Sequence, residues 1–290
     1  MTRLDLAWRT ANPLPRREDG ADKNARGRVF AAGGSRRVPG ALALTAQAAL
    51  RVGAGKVRMG TIEAAAIPLG LVMPEAGVVA LPEGADGELG ADAAAGINEQ
   101  LESCDAFIFG PGMGGRSDVD RLTRQVIATP RAALTIVLDA APLACAAGLE
   151  TLIAAHQGRV VLTPHHGELA YLTGEEERAI GDDPERAARA AADRFGAVVV
   201  LKNARTIIAA PDGTMLVHDS DAPGLATGGS GDVLAGVIGG LLARGMAPVA
   251  AAGWGVWLHG AAGRAAAEAI GPIGFLARDL LPHLPRLLAM

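Results

Sequence analysis

Short apolar runs recur along this chain, and most end on glycine, histidine, lysine or a carboxylate. Arg28–Ala32 runs into Gly33-Gly34-Ser35, and Phe107-Ile108-Phe109 into Gly110-Pro111-Gly112-Met113-Gly114. Residues 134–138 stop at Asp139, Val160–Leu162 at Thr163-Pro164-His165, and Val198–Leu201 at Lys202-Asn203; residues 57–61 read as a further strand. Helical stretches fall at residues 40–52, 118–127 and 169–172. One long helix begins at Asp232 and another spans residues 248–268, with Pro248 tolerated in its first turn. Residues 206–209 and 214–217, joined through Pro211-Asp212-Gly213, predict a hairpin. The alternation of buried-type strands with helices predicts an α/β fold with a mostly parallel sheet covered on both faces. In such sheets ligands collect beyond the carboxyl ends of the strands, where these clusters fall.

No linker splits the chain and no internal repeat is visible. Residues 26–290 therefore read as one domain, preceded by a polar lead-in at residues 1–25. The 290 residues are half apolar, with 39 glycines and few aromatics, which predicts a tightly packed interior and excludes a disordered chain. A formal net charge of −4 gives no electrostatic reason to expect nucleic acid or an anionic membrane as partner. Cys104 and Cys145 form no CxxC and are expected to be packing residues in a reducing compartment. The first fifteen residues lack the apolar run of a signal peptide, and Pro68, Pro74, Glu75 and Pro82 interrupt the apolar stretch 65–82. A cytoplasmic location without a membrane span is the expectation.

The stretch Ala226-Thr227-Gly228-Gly229-Ser230-Gly231-Asp232 carries the strongest chemical signal. Glycines at a helix entrance let an anion approach backbone N–H groups, and the same lip holds a carboxylate in the first turn. An oxyanion cradle beside a fixed base suits phosphoryl transfer to a hydroxyl; the plainer reading is a glycine loop with Asp232 as a helix cap. Two other nucleotide fingerprints fail. No Gly-Lys-Ser/Thr closes a Walker-type loop, Gly33-Gly34-Ser35-Arg36 lacks the dinucleotide spacing, and the loop at Gly110 matches that fingerprint poorly because Pro111 sits in the tight turn. His165 follows a strand and is a candidate substrate contact or a turn histidine. Glu168, three residues on, is a candidate for approaching Mg²⁺ through water or a capping-region charge. Lys202, at the mouth of the sheet, can meet phosphate oxygens or solvent. His259 is expected to pack in a helix beside the site. No pattern for a zinc site is present.

Together these segments resemble the ADP/ATP-dependent NAD(P)H-hydrate dehydratases, a branch of the ribokinase-like superfamily, from about residue 26 to 281. The resemblance is carried by residues 29–35 with 40–55, 109–114, 163–168, 200–206 and 225–236 with His259-Gly260. It implies a three-layer α/β/α sandwich and a hydro-lyase of nicotinamide-nucleotide repair. In that reaction ADP, or ATP, drives dehydration of the S form of hydrated NADH or NADPH, giving the reduced cofactor, AMP and phosphate when ADP is used. By the same resemblance, Asp232 is the catalytic base and a substrate contact. Lys202, Asn203, Ala204, Arg205, Thr206, Gly228, Gly229, Ser230 and Gly231 bind the nucleotide; Ala41, Gly114 and His165 bind the hydrated dinucleotide. Mg²⁺ is the implied metal and a homo-oligomer, commonly a tetramer, the implied assembly. The short lead-in leaves no room for the epimerase domain many relatives carry, so a stand-alone dehydratase working with a separate epimerase is expected.

Three positions depart from the family pattern. His166 replaces the second proline of Thr-Pro-His-Pro-Gly-Glu, Asn203 replaces the glycine after the nucleotide-site lysine, and Ala141 replaces the second carboxylate of Asp-Ala-Asp-Ala-Leu. The competing enzymatic reading is a kinase of the same fold phosphorylating a vitamin-type alcohol. The non-enzymatic one is a nucleotide-binding regulator with a degenerate site.

Overall fold

In the computed structural model, which describes residues 1–15, 23–114 and 117–289, the β-branched runs all enter one sheet. Its strands are β1 (Thr2–Arg3), β2 (Arg28–Ala32), β3 (Lys56–Ile62), β4 (Gly77–Leu81), β5 (Ala106–Phe109), β6 (Thr135–Leu138), β7 (Val160–Leu162), β8 (Val198–Leu201), β9 (Arg205–Ala209) and β10 (Met215–Asp219). The spatial order is β1-β10-β9-β8-β7-β6-β5-β2-β3-β4. Every neighbouring pair is parallel except those of β9, which is antiparallel to both β8 and β10. The expected hairpin is thus β9–β10. The chain runs outward from β2 to β4 and returns to β5 on the other side of β2. That reversal opens a crevice at the carboxyl ends of β2 and β5, the position where open α/β sheets accept ligands.

Helices cover both faces. Along β5 the side chains alternate, as a strand buried on two sides requires. Phe107 stacks with Phe109 and with Phe30 on one face, at centroid separations of 5.4 and 5.7 Å. Ile108 points to the other face, against Gly239 of the helix Ser230–Ala243. That helix is nearly all buried and lies between the helices Gly40–Arg51 and Pro248–Ala269. Its glycines make the close approach possible. A Cβ at Gly236 would enter the Thr45 carbonyl, and one at Gly240 would strike Val52. The glycine-loop helix is therefore held against the sheet and a neighbouring helix along most of its length, so its first turn has a fixed position. No helix among the described residues is long and apolar enough to cross a membrane.

The polar lead-in is not a detached arm. Thr2–Arg3 adds a parallel edge strand to β10, and Leu6–Ala11 is a helix capped by Asp5, whose carboxylate accepts the Trp8 N–H at 2.9 Å. Leu4 and Trp8 join the core, with Trp8 against Gly253 and Trp254 of the long carboxyl-terminal helix. Leu4 and Trp8 make a single i,i+4 pair, and one repeat in so short a segment is too little periodicity to read as an element in sequence. Several further elements lie where no strand or helix is expected from sequence. Glu63–Val72 is helical despite Pro68, Gly77–Leu81 pairs with β3, and Ala93–Leu101 and Pro184–Phe195 are helices.

Candidate functional site

Gly229 caps the helix Ser230–Ala243 in the left-handed region, at φ 88°, and a Cβ there would lie 2.7 Å from the Leu44 side chain. Only glycine meets both demands. The N–H groups of Gly231 and Asp232, at the start of the helix, have no acceptor among the described residues. They are the orphan donors of a helix N-terminus, the arrangement that can receive an anion. Asp232 sits in that first turn, and its backbone carbonyl accepts the Thr45 hydroxyl at 3.1 Å, tying the lip to the helix Gly40–Arg51. Burial, reinforced by the nearby charge of Asp139 and opposed by Lys202, raises the Asp232 carboxyl to about 7. A carboxylate so poised holds and releases a proton near neutral pH, as a general base requires.

The parallel register of β6, β7 and β8 brings three strand ends together. Lys202 N–H donates to the Pro164 carbonyl at 2.7 Å, and His165 and Lys202 form a one-residue bridge beyond the strands. Asp139, at the end of β6, is buried and accepts the Thr163 hydroxyl at 2.7 Å and Lys202 Nζ at 3.1 Å on one oxygen. Lys202 Nζ also stands 3.6 Å from Glu168 and close beneath Gly231. Burial pulls the ammonium down, but the two carboxylates outweigh it and leave the lysine pKa raised. Lys202 is therefore a fixed cation under the glycine lip.

His165 and Glu168 open the helix His166–Thr173 with a reciprocal cap. Glu168 accepts the His165 N–H at 2.8 Å, and His165 Nδ1 accepts the Glu168 N–H at 3.2 Å. The capping reading of Glu168 is thus realised alongside its contact with Lys202. Asn203 and His166, two of the positions that depart from the family pattern, meet across 3.4 Å.

A cavity of about 760 Å³ lies beside the lip and gathers His165, Lys202, Asn203, Ala204, Thr206, Ser230 and Gly231. Arg205 is turned away from it, toward Glu185 and Asp219 at the sheet surface, and Gly228 lines a separate groove with Leu44 and Leu276. Gly114 lines a smaller cavity of about 330 Å³ with Ser35, Glu88 and Ala140, and its N–H donates to Glu88 at 3.1 Å. Ala41 is buried behind Gly112, whose added Cβ would lie 2.9 Å from it. Asp139, paired to Lys202, and the cavity-lining His218, Ser220, Asp221, Ala222 and Pro223 are absent from the sequence candidates. Asp139 was visible as a strand end, but its partners lie 24 and 63 residues away.

No group of three His, Cys, Asp or Glu side chains among the described residues converges to hold a metal ion. The donor set instead fits an ion shared between one or two carboxylates, Glu168 among them, and ligand phosphates, which is a common habit of Mg²⁺.

Residues 29–286 match the NAD(P)H-hydrate dehydratase family. The chain is 43% identical over 279 residues to the ADP-dependent (S)-NAD(P)H-hydrate dehydratase of Xanthomonas campestris pv. campestris, covering 96% of this chain and 93% of that one. It is 39% identical to the bifunctional NAD(P)H-hydrate repair enzyme Nnr of Moorella thermoacetica, across 98% of this chain but 53% of that protein. The crystal structure of the Bacillus subtilis ADP/ATP-dependent NAD(P)H-hydrate dehydratase, co-crystallized with ATP/Mg²⁺, superposes with a TM-score of 0.79 at 30% identity, covering 95% of this chain and 94% of that one. With the sheet order, the glycine lip and the lysine beneath it, these matches converge: the chain belongs to the NAD(P)H-hydrate dehydratase family.

Proposed function

We propose that this protein is an ADP-dependent, alternatively ATP-dependent, (S)-NAD(P)H-hydrate dehydratase in which Asp232 is the base. The observation that carries the assignment of roles is the Asp232 carboxyl raised to about 7 in the first turn of a helix whose free N–H groups flank the larger cavity. In this reading the nucleotide occupies that cavity, against Lys202, Asn203, Ala204, Thr206, Ser230 and Gly231, with Gly229 setting the turn of the lip. Arg205 contributes from the rim through its backbone. The hydrated dinucleotide approaches from the Gly114 side, with Ala41 shaping the wall behind it and His165 contacting it from the strand ends.

Asp232 takes the proton of the C6 hydroxyl as that oxygen attacks the terminal phosphorus of the nucleotide. The bond to the bridging oxygen breaks, and AMP leaves when ADP is the donor. Lys202 and the N–H groups of Gly231 and Asp232 hold the charge that spreads over the transferring phosphoryl oxygens. The hydroxyl is thereby converted to a phosphate ester, a far better leaving group. The ring nitrogen lone pair expels phosphate, and loss of a proton from the neighbouring carbon restores the dihydropyridine. Mg²⁺, when bound through nucleotide phosphates and Glu168, supplies further neutralisation of phosphate charge. The protein acts in the cytoplasm as a homo-oligomer, with a separate epimerase supplying the S form.

Incubation with S-NADHX and ADP tests the reaction class. A dehydratase yields NADH, AMP and inorganic phosphate; accumulation of a stable phosphomonoester without NADH would make the protein a kinase instead.

A further inference from the structure

His259 lies on the long helix Pro248–Ala269 and reaches the first residue of the glycine-loop helix. Its Nε2 is 2.9 Å from the Ser230 hydroxyl oxygen and 3.0 Å from the Ser230 carbonyl oxygen. A carbonyl only accepts, so the second contact places a proton on Nε2. An Nε2–H has no lone pair left, and the Ser230 oxygen therefore accepts from the ring as well. The hydroxyl proton is left over. It has no acceptor among the described residues, and Ser230 lines the larger cavity together with Lys202, Gly231 and His259. Burial pulls the imidazole down to about 4, so the ring is neutral at physiological pH and carries a single proton.

We propose that His259, in its Nε2–H form, orients the Ser230 hydroxyl so that its proton is offered to a nucleotide phosphate oxygen. His259 is then a positioning residue that acts through Ser230. The phosphate site has three kinds of donor: backbone N–H, the Lys202 ammonium and a hydroxyl whose direction is set from a neighbouring helix. The inference rests on the nucleotide occupying this cavity. Without His259 the hydroxyl is free to rotate and to donate to its own neighbouring carbonyls, a habit of serine near helix ends.

The test combines calorimetric titration of ADP with Mg²⁺, steady-state kinetics and ¹⁵N NMR of the imidazoles. The proteins compared are the wild type, Ser230→Ala, His259→Leu, His259→Gln and the Ser230→Ala/His259→Leu pair. A hydrogen bond to a charged phosphate predicts that Ser230→Ala weakens ADP binding about ten- to hundredfold. His259→Leu is expected to match it, and the pair to lose no more than either alone. The ADP KM rises while kcat changes little, the pattern of a contact made equally in ground and transition states. His259→Gln, whose amide N–H takes the place of Nε2–H, restores most of the affinity, which separates the donor role from filling space. In the wild type the His259 proton is found on Nε2. Additive losses in the pair, unchanged ADP affinity in His259→Leu, or a proton on Nδ1 would each overturn the proposal while leaving the dehydratase reading intact. Failure of the wild type to bind ADP would overturn the nucleotide reading and this proposal with it.

Discussion

The Asn203 amide nitrogen donates to His166 Nε2 over 3.4 Å, joining the end of β8 to the first residue of the helix after β7. The amide oxygen of Asn203 accepts the Ala204 N–H at 2.8 Å, which fixes the orientation of the side chain. Both residues stand where the family pattern has glycine and proline. The two departures thus share one contact at the rim of the larger cavity, where a side-chain bridge stands in place of a flexible glycine and a φ-restricted proline.

That pairing sets an expectation for a double-mutant cycle. Asn203→Gly and His166→Pro should each change the ADP KM, and the two together should change it by less than the sum. The coupling is small, about 0.5 kcal/mol, because the contact is long and exposed. Strict additivity in measured KM values would show that the bridge has no energetic content.

Asp232 should make the native protein less stable at neutral pH than a neutral side chain would. Its carboxyl rises from 3.8 to about 7 on folding, chiefly through burial. Between those values the native state holds a proton that the unfolded chain has released, so wild-type stability falls as pH rises through that window. Asp232→Asn is therefore expected to match the wild type near pH 4 and to exceed it above pH 7, by at most about 4 kcal/mol. Calorimetric Tm values across that range check the sign.

Asp139 is expected to tune the base. Its charge helps hold the Asp232 carboxyl up, and it engages Lys202, which pulls the other way. Asp139→Asn removes the first influence and frees the second. The acid limb of the kcat/KM profile should move to lower pH by about one unit or more. An unmoved limb would mean that the two carboxylates are electrically independent.

The amino-terminal segment should matter for stability. Trp8 is 8% exposed and packs on Trp254 and Gly253, so Trp8→Ala is expected to cost about 3 kcal/mol and to lower the Tm by several degrees. A variant melting with the wild type would show that the packing of residues 2–11 adds nothing to the stability of the domain.

The sequence was most informative where one short segment contains both an element and its chemistry. The runs ending at Thr163, Lys202 and Gly110 mark real strand ends, and the glycines before Asp232 mark a real helix start. Relations between segments were hidden. Asp139 gains its meaning only when the register of β6, β7 and β8 sets it beside Thr163 and Lys202. The Ser230–His259 contact likewise depends on how two late helices cross. Leu4 and Trp8 were missed because a two-residue strand and a six-residue helix give no periodic pattern, and Glu63–Val72 because Pro68 reads as a breaker.

The central claim, that Asp232 activates the hydroxyl of a hydrated nicotinamide ring, is tested most directly by turnover of S-NADHX. Wild type and Asp232→Asn are compared with ADP or ATP and Mg²⁺, following the return of NADH absorbance. The expected result is restoration of NADH by the wild type and a loss in kcat of about 10²–10⁴ in the variant, with ADP affinity little changed. Equal turnover by the two proteins, or no NADH from the wild type with either nucleotide, would contradict it.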